Sequence, residues 1–358
     1  MTRLDEALAT VRPLDATAMA AAQDRLDHLT KPPGSLGRLE ELVVWLAGVT
    51  GSPAPSVGRR RIIVAAGDHG VAMRQQVSAW PSDVTAQMVA TFLAGRAAIS
   101  TLAAAGDASI VVLDVGVASP IPAVATASSR TRLVEARIRP GTDDFTTGPA
   151  MTSDEALAAI EAGLRAVDDA AADGIELLGI GEMGIGNTTS ASAIVAVLTG
   201  RDPREVTGRG TGVDDAGWGR KVDAIERGIA ANAPDPADPL GVLAALGGFE
   251  IAALVGVIAG AAARQVPLVL DGFITGAAAL VASALEPAIV SRLLAGHRSV
   301  EPGHAIVLER LGLRPLLELD MRLGEGTGAA LAMGLVVAAA AVRDGMATFE
   351  EAAVSDRR

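Results

Sequence analysis

The chain has 358 residues and a formal net charge of −12 at pH 7; half of its residues are hydrophobic, 2% are aromatic and none is cysteine. Disulfides, thiolate metal sites and cysteine nucleophiles are therefore excluded. The acidic balance, with no basic block, argues against a nucleic-acid partner.

The length fits one large α/β domain with an appendage, or two domains. With 40 glycines and few aromatics, the core has to be built from small, closely packed aliphatic elements. The opening "MTRLDEALATV" is acidic and lacks an apolar centre, so it does not read as a signal peptide. Residues 1–50 read as helices of a small domain. Leu36, Leu39, Val43 and Leu46 recur at helical spacing behind Ser35, the expected N-cap. "GSPAPSVG" (51–58) is a linker. Residues 59–344 are expected to form a large α/β domain, with helices near 300–314 and 345–358 joining the small one.

Short β-rich runs follow at 61–66, 109–115, 175–180 and 266–271, with a weaker one at 292–296 and an edge candidate at 132–139. Helical patterns lie between them. In one, Thr152 and Glu155 form a capping box ahead of a stripe of Leu157, Ile160, Leu164 and Val167. Strands alternating with helices predict a mainly parallel sheet flanked by helices on both faces. The apolar stretch 251–263 is short of the roughly 20 residues of a membrane span, so the expectation is a cytoplasmic protein with no span.

The strand runs end in "AAGDHG", "LDVGV", "GIGEMG", "LDGFITG" and "AGHRS". Ligands of open α/β sheets bind beyond the carboxyl ends of the strands, so five such tails in one chain suggest an active site. Gly179, Gly181 and Gly184 make a G-x-G-x-x-G with Glu182 inside it. A dinucleotide site needs an acidic residue about 20 positions on, at the end of a second strand. Asp202 and Glu205 are the nearest, and no β-run precedes them. The motif continues to Gly186, Asn187, Thr188 and Thr189, a helix start suited to a single phosphate. The first two glycines are expected to bring the strand to its turn.

Gly208, Gly210 and Gly212 lie in a loop before a helix that starts near Asp214 and carries Lys221, one of only two lysines beside Lys31. Lys221 reads either as a solvated helix face or as a point-charge phosphate contact. Glu325, between Gly324 and Gly326, reads either as a surface carboxylate favoured by a helix start or as a general base that glycines let a substrate approach. His28, His69, His297 and His304 have no regular metal-ligand spacing and read as structural or substrate-lining. Trp80, ahead of a proline and a helix start, reads as core or as a stacking surface for a flat ring.

Taken together in one order, "KPPGSLGRLEEL", "AAGDHGV", "GEMGIGNTTSASA", "GRGTGVDD", "GGFEIAALVG", "LDGFITGAAAL", "GHRSVEPGH" and "MRLGEGTGAALA" resemble the nicotinate-nucleotide–dimethylbenzimidazole phosphoribosyltransferase family, from about residue 30 to about 345. The resemblance implies a Rossmann-like sheet with a small helical domain, as a homodimer needing no cofactor or metal. It implies transfer of the phosphoribosyl group of nicotinate mononucleotide to 5,6-dimethylbenzimidazole, giving α-ribazole 5′-phosphate and nicotinate. By the same resemblance Glu325 is the general base and Glu182 lines the reacting centre. Gly184, Gly186, Asn187, Thr188, Gly210, Thr211 and Lys221 hold the nucleotide. Trp80, Gln87 and Leu323 hold the base, with Trp80 where relatives often have tyrosine and Ala79 where some have serine. Two other readings stand beside it: an NAD-dependent oxidoreductase built on residues 179–184, and a catalytically silent nucleotide-binding module.

Overall fold

A computed structural model describes residues 1–355. Six parallel strands form one sheet: β1 Arg60–Gly67, β2 Ala108–Gly116, β3 Thr131–Glu135, β4 Leu177–Met183, β5 Leu268–Leu270 and β6 Leu293–Ala295. Their spatial order is β3-β2-β1-β4-β5-β6. This is the doubly wound Rossmann order, in which the direction of winding reverses beside β1. Both weaker strand readings are present as the two edges, β3 and β6. β3 is shorter than the predicted run, although the Ala136 and Ile138 N–H groups beyond it still donate to the Asp114 and Val115 carbonyls of β2 at 2.8 and 3.0 Å.

β1 lies between β2 and β4, with Ile62 opposite Ile110 on one side and Gly179 on the other. Its alternate residues serve two cores. Ile63 and Ala65 pack with the helices Ser153–Ala172 and Phe249–Ala263, while Ile62, Val64 and Ala66 pack beneath Thr327–Gly345. The scarcity of aromatics is met by close helix approach: a Cβ at Gly163 or Gly256 would strike the backbone of the facing helix. The capping box is present, with Thr152 Oγ1 accepting from Glu155 N–H at 3.2 Å and Glu155 from Thr152 N–H at 2.8 Å.

Helices Ala16–His28 and Arg38–Thr50 pack against each other, and the latter packs on Thr327–Gly345. Ser35 does not cap the latter helix; its N-cap is Gly37, at φ 53°. The Glu40 carboxylate takes the Gly34 and Leu36 N–H groups instead and pairs with the buried Lys31 at 2.9 Å. The helix Pro302–Leu311 packs on Phe273–Leu285, while Arg314 behind it pairs with Glu41. Thr348 bridges to Leu29, and Arg25 pairs with Glu351. By length and hydropathy the segments Val84–Ala105 and Thr327–Gly345 could cross a bilayer. The first is broken by a left-handed turn at Gly95, and the second packs on β4 and Arg38–Thr50.

Candidate active site

β1 and β4 run side by side at the reversal point, so their carboxyl ends share one crevice. β4 extends through Met183, placing Glu182 opposite Ala65 of β1. Gly179 and Gly181 thus lie inside the strand and do not bring it to its turn, which begins at Gly184. They are glycine for another reason. A Cβ at 181 would collide with the Glu325–Gly326 peptide, and one at 179 would crowd Met333 and Ile62. The strand's bare surface is the seat of the turn that carries Glu325. A phosphate cannot be cradled by residues buried within a sheet, so the dinucleotide reading of 179–184 fails.

That turn is unusual. Gly324, Glu325 and Gly326 all have positive φ, at 83°, 64° and 92°. The left-handed region costs a non-glycine residue roughly 1–2 kcal/mol. Asp271, at the end of β5, holds the turn in place. Its Oδ1 accepts from the N–H groups of Gly328 at 2.6 Å and Ala329 at 3.2 Å, and its Oδ2 from Gly326 at 3.0 Å. It thereby caps the start of Thr327–Gly345 from a distant strand, satisfying donors a helix leaves free. His297 Nε2 lies 3.7 Å from Asp271 Oδ1. Burial pushes the Asp271 carboxyl up, against the pull of His297 and the three N–H donors.

Glu325 is buried, and its Oε2 has no hydrogen-bond partner among the described residues. Burial, with the negative charge of Asp271, raises its pKa to about 7 against the pull of a backbone hydrogen bond from Ile99. Glu182 rises further, to about 8, through burial and the charge of Asp271, although Asn187 Nδ2 donates to its Oε2. Its Oε1 lies against Gly324, close enough that a Cβ there would clash. Two carboxyl groups with pKa values near neutrality thus flank the same turn. This is how sites running proton transfer at neutral pH are built.

The helix Asn187–Thr199 starts at Gly186, at φ 95°, with no side chain capping it. Asn187 and Thr188 are therefore helical residues rather than caps, Asn187 because its side chain is turned to Glu182. Next to this start Lys221 Nζ donates to Thr188 Oγ1 at 2.9 Å and to the Gly208 carbonyl at 3.1 Å. Lys221 is 1% exposed, which removes the solvated-face reading. Burial lowers its pKa to about 8, with Glu301 pulling upward. Glu301 Oε1 accepts from Gly210 N–H at 2.9 Å and so fixes the 208–212 loop. Arg322 donates to the Gly210 carbonyl at 3.1 Å, closing that loop over the Glu325 segment.

All of these groups line one cavity of about 710 Å³. Its walls include Glu182, Gly184, Gly186, Asn187, Thr188, Gly210, Thr211, Lys221, Leu323, Glu325 and Trp80. Trp80 and Leu323 are half exposed at its rim. Gln87 is not brought in. It lies on the outward face of the helix Val84–Leu93 and is exposed, whereas Val84 and Met88, four residues apart, face the cavity. Asp271, Ser299, Glu301, Arg209 and Arg322 were not singled out in the sequence. Asp271 had a readable signal, since it is the acidic residue that ends the strand run 266–271.

The histidines divide. His297 lines the cavity, and His69 is buried beneath it. Burial lowers His304 to about 3, and its Nδ1 accepts from Ser299 N–H at 2.9 Å. His28 is exposed on its helix, with Nδ1 2.7 Å from the Asp24 carbonyl. Among the described residues no three His, Asp or Glu side chains are grouped to hold a metal ion.

Comparison with known proteins bears on the whole chain. A family model described as phosphoribosyltransferase matches residues 11–354. A nicotinate-nucleotide–dimethylbenzimidazole phosphoribosyltransferase of Chloroflexus aggregans is 54% identical over 100% of this chain and 99% of its own. One from Salinispora tropica is 50% identical over 99% of this chain and 100% of its own. The crystal structure of CobT from Thermus thermophilus superposes with a TM-score of 0.88 at 48% identity, covering 95% of this chain and 100% of that one. Identity at this level, unbroken from end to end and joined to a shared fold, means that the chain belongs to the nicotinate-nucleotide–dimethylbenzimidazole phosphoribosyltransferase family.

Proposed function

We infer that the chain is a working enzyme of its family. It transfers the 5-phosphoribosyl group of nicotinate mononucleotide to 5,6-dimethylbenzimidazole in lower-ligand assembly for cobalamin. The observation that carries the residue assignment is Glu325: a buried carboxyl with an unpartnered oxygen, held in a left-handed turn of the cavity that also holds Lys221.

In this reading Glu325 takes the N–H proton of the benzimidazole, which makes the other ring nitrogen nucleophilic toward C1′ of the ribose. The nicotinate–ribose bond breaks as the new C–N bond forms. The bonding electrons return to the pyridine nitrogen and discharge its positive charge, so departure needs no acid. Attack from the opposite face converts a β-linked nucleotide into an α-linked one. A base is worth about 10²- to 10⁴-fold, and holding both rings at C1′ supplies more. Glu182, pushed up to about 8, is protonated at neutral pH and offers a hydrogen bond to the ribose. Lys221, Thr188, Gly184, Gly186, Gly210 and Thr211 receive the phosphate, at the positive end of the helix Asn187–Thr199, which no side chain caps. Trp80, Leu323, Val84 and Met88 enclose the flat base.

The family resemblance supports a homodimer working in the cytoplasm, which sedimentation of the purified protein tests for its oligomeric part. The test of function is product formation from nicotinate mononucleotide and a panel of benzimidazoles and purines. Nicotinate and an α-linked nucleotide are expected in equal amounts. Nucleotide binding without nicotinate release, across the whole panel, overturns the reading in favour of a silent module.

A further inference from the structure

Beneath the Gly184–Asn187 turn lies a set of buried polar groups that none of the steps above uses. Asp68 and His69 follow β1, Glu250 stands in the first turn of Phe249–Ala263, and Thr85 and Ser190 come from two further helices. All five are buried and none lines the cavity. They form two chains of polar contacts, and each ends on the turn or on the helix it starts.

In the first, the Ile185 N–H donates to Thr85 Oγ1 at 3.2 Å, and the Thr85 hydroxyl lies near enough to Asp68 to favour its carboxylate form. Asp68 is itself fixed by the Ala118 N–H at 2.8 Å. In the second, His69 Nε2 is 2.7 Å from Glu250 Oε1, and His69 Nδ1 is 2.9 Å from Ser190 Oγ. A carboxylate only accepts, so Nε2 carries its proton toward Glu250 and Nδ1 is left for the serine hydroxyl. Ser190 sits one helical turn after Gly186 and Asn187, on the same helix. Gly184 completes the seating, since a Cβ there would strike the Gly67 carbonyl and crowd Glu250.

The cluster is an expensive way to fill space. Glu250 Oε2 and Asp68 Oδ1 have no hydrogen-bond partner among the described residues. Apolar residues of like volume would pack at least as stably. What the charges and hydroxyls add is directional restraint within one short turn and on the helix that follows it.

We propose that Thr85, oriented by Asp68, and His69, oriented by Glu250 and acting through Ser190, are positioning residues that clamp the Gly184–Asn187 turn in its nucleotide-binding shape. The inference rests on reading that turn as the phosphate site. The test compares Thr85→Val and Ser190→Ala, which delete only one hydroxyl each, with Thr85→Ser, which keeps it, and with Lys221→Ala.

Each deletion is expected to raise the KM for nicotinate mononucleotide about fivefold, the effect of one lost hydrogen bond, with the KM for the base within about twofold of wild type. Thr85→Ser is expected to restore the nucleotide KM. An unchanged nucleotide KM in both deletions, or an equal rise in both KM values, overturns the clamp. Should Thr85→Val fail to fold, Ser190→Ala carries the test alone. An unchanged nucleotide KM in Lys221→Ala instead overturns the phosphate-site reading and the clamp with it. A rise there without one in the deletions overturns the clamp alone.

Discussion

Glu325→Gln separates two roles of one side chain. Glutamine keeps the volume and the backbone demand of glutamate but cannot accept the proton. Turnover is therefore expected to fall about 10²- to 10⁴-fold, with the nucleotide KM little changed. Stability should move the other way. Burial lifts Glu325 from 4.5 to about 7, so folding favours its protonated form. The sign follows: the stability tied to this group is complete below its unfolded pKa and is lost as pH rises through about 7. Each pKa unit is worth about 1.4 kcal/mol, so ionised Glu325 costs the native state roughly 3–4 kcal/mol above neutrality. Glutamine removes that cost. For a chain of this length the gain corresponds to a Tm about 4–5 °C higher near pH 8, and little difference near pH 5. Steady-state nicotinate release and thermal melts at the two pH values measure both quantities. Near-normal turnover refutes the base assignment. An unchanged Tm near pH 8 refutes the view that the site holds a strained, desolvated carboxyl.

Three further outcomes are expected. Lys221→Ala should raise the nucleotide KM about tenfold or more with a smaller change in kcat, as loss of a charge-assisted phosphate contact demands; in the wild type that KM should climb above about pH 8, where Lys221 loses its proton. Gly181→Ala suits its own strand but pushes on the Glu325–Gly326 peptide, so turnover should fall about 10²-fold while circular dichroism stays native. Asp271→Asn puts an amide where three N–H groups now converge and should lower stability by about 1–3 kcal/mol and turnover with it; full activity in that variant would show that the turn holds itself.

The strand runs were legible because a buried parallel strand is a short block of β-branched and aliphatic residues, and their tails marked the site because glycine and acid are rare in such blocks. The conformation of β4 was not legible. In sequence Gly179 and Gly181 look like turn glycines. They are strand residues because Glu325, far along the chain, needs the space. The same holds for Asp271 and Glu301, whose roles depend on which amides they meet after folding. Lys31 and Lys221 were equally conspicuous as the only lysines. Burial against Glu40 makes one structural, and the cavity claims the other. Gln87 shows the limit of residue-by-residue transfer from a family pattern, since here the helix turns it outward.

Lys221, beside Thr188 and Gly208, marks one end of the cavity, with Glu301 close to it, and Glu182, Asp271 and Glu325 stand at the strand ends. Nicotinate mononucleotide is polarised in the matching sense, an anionic phosphate and a cationic pyridinium ring. In the proposed binding mode, with its phosphate at the lysine, its ring would lie near Glu325 and Asp271. Transfer erases the ring's positive charge, and nicotinate is left with only its negative carboxylate. Glu325 has by then taken the benzimidazole proton and is neutral, so the leaving group loses the attraction that its own positive charge gave it and sits in the negative field of a chain of net charge −12. To rebind, that anion would have to climb back against the same field. On this reading nicotinate is expected to be a weak product inhibitor, which steady-state inhibition measures, while the equilibrium constant of the reaction is untouched.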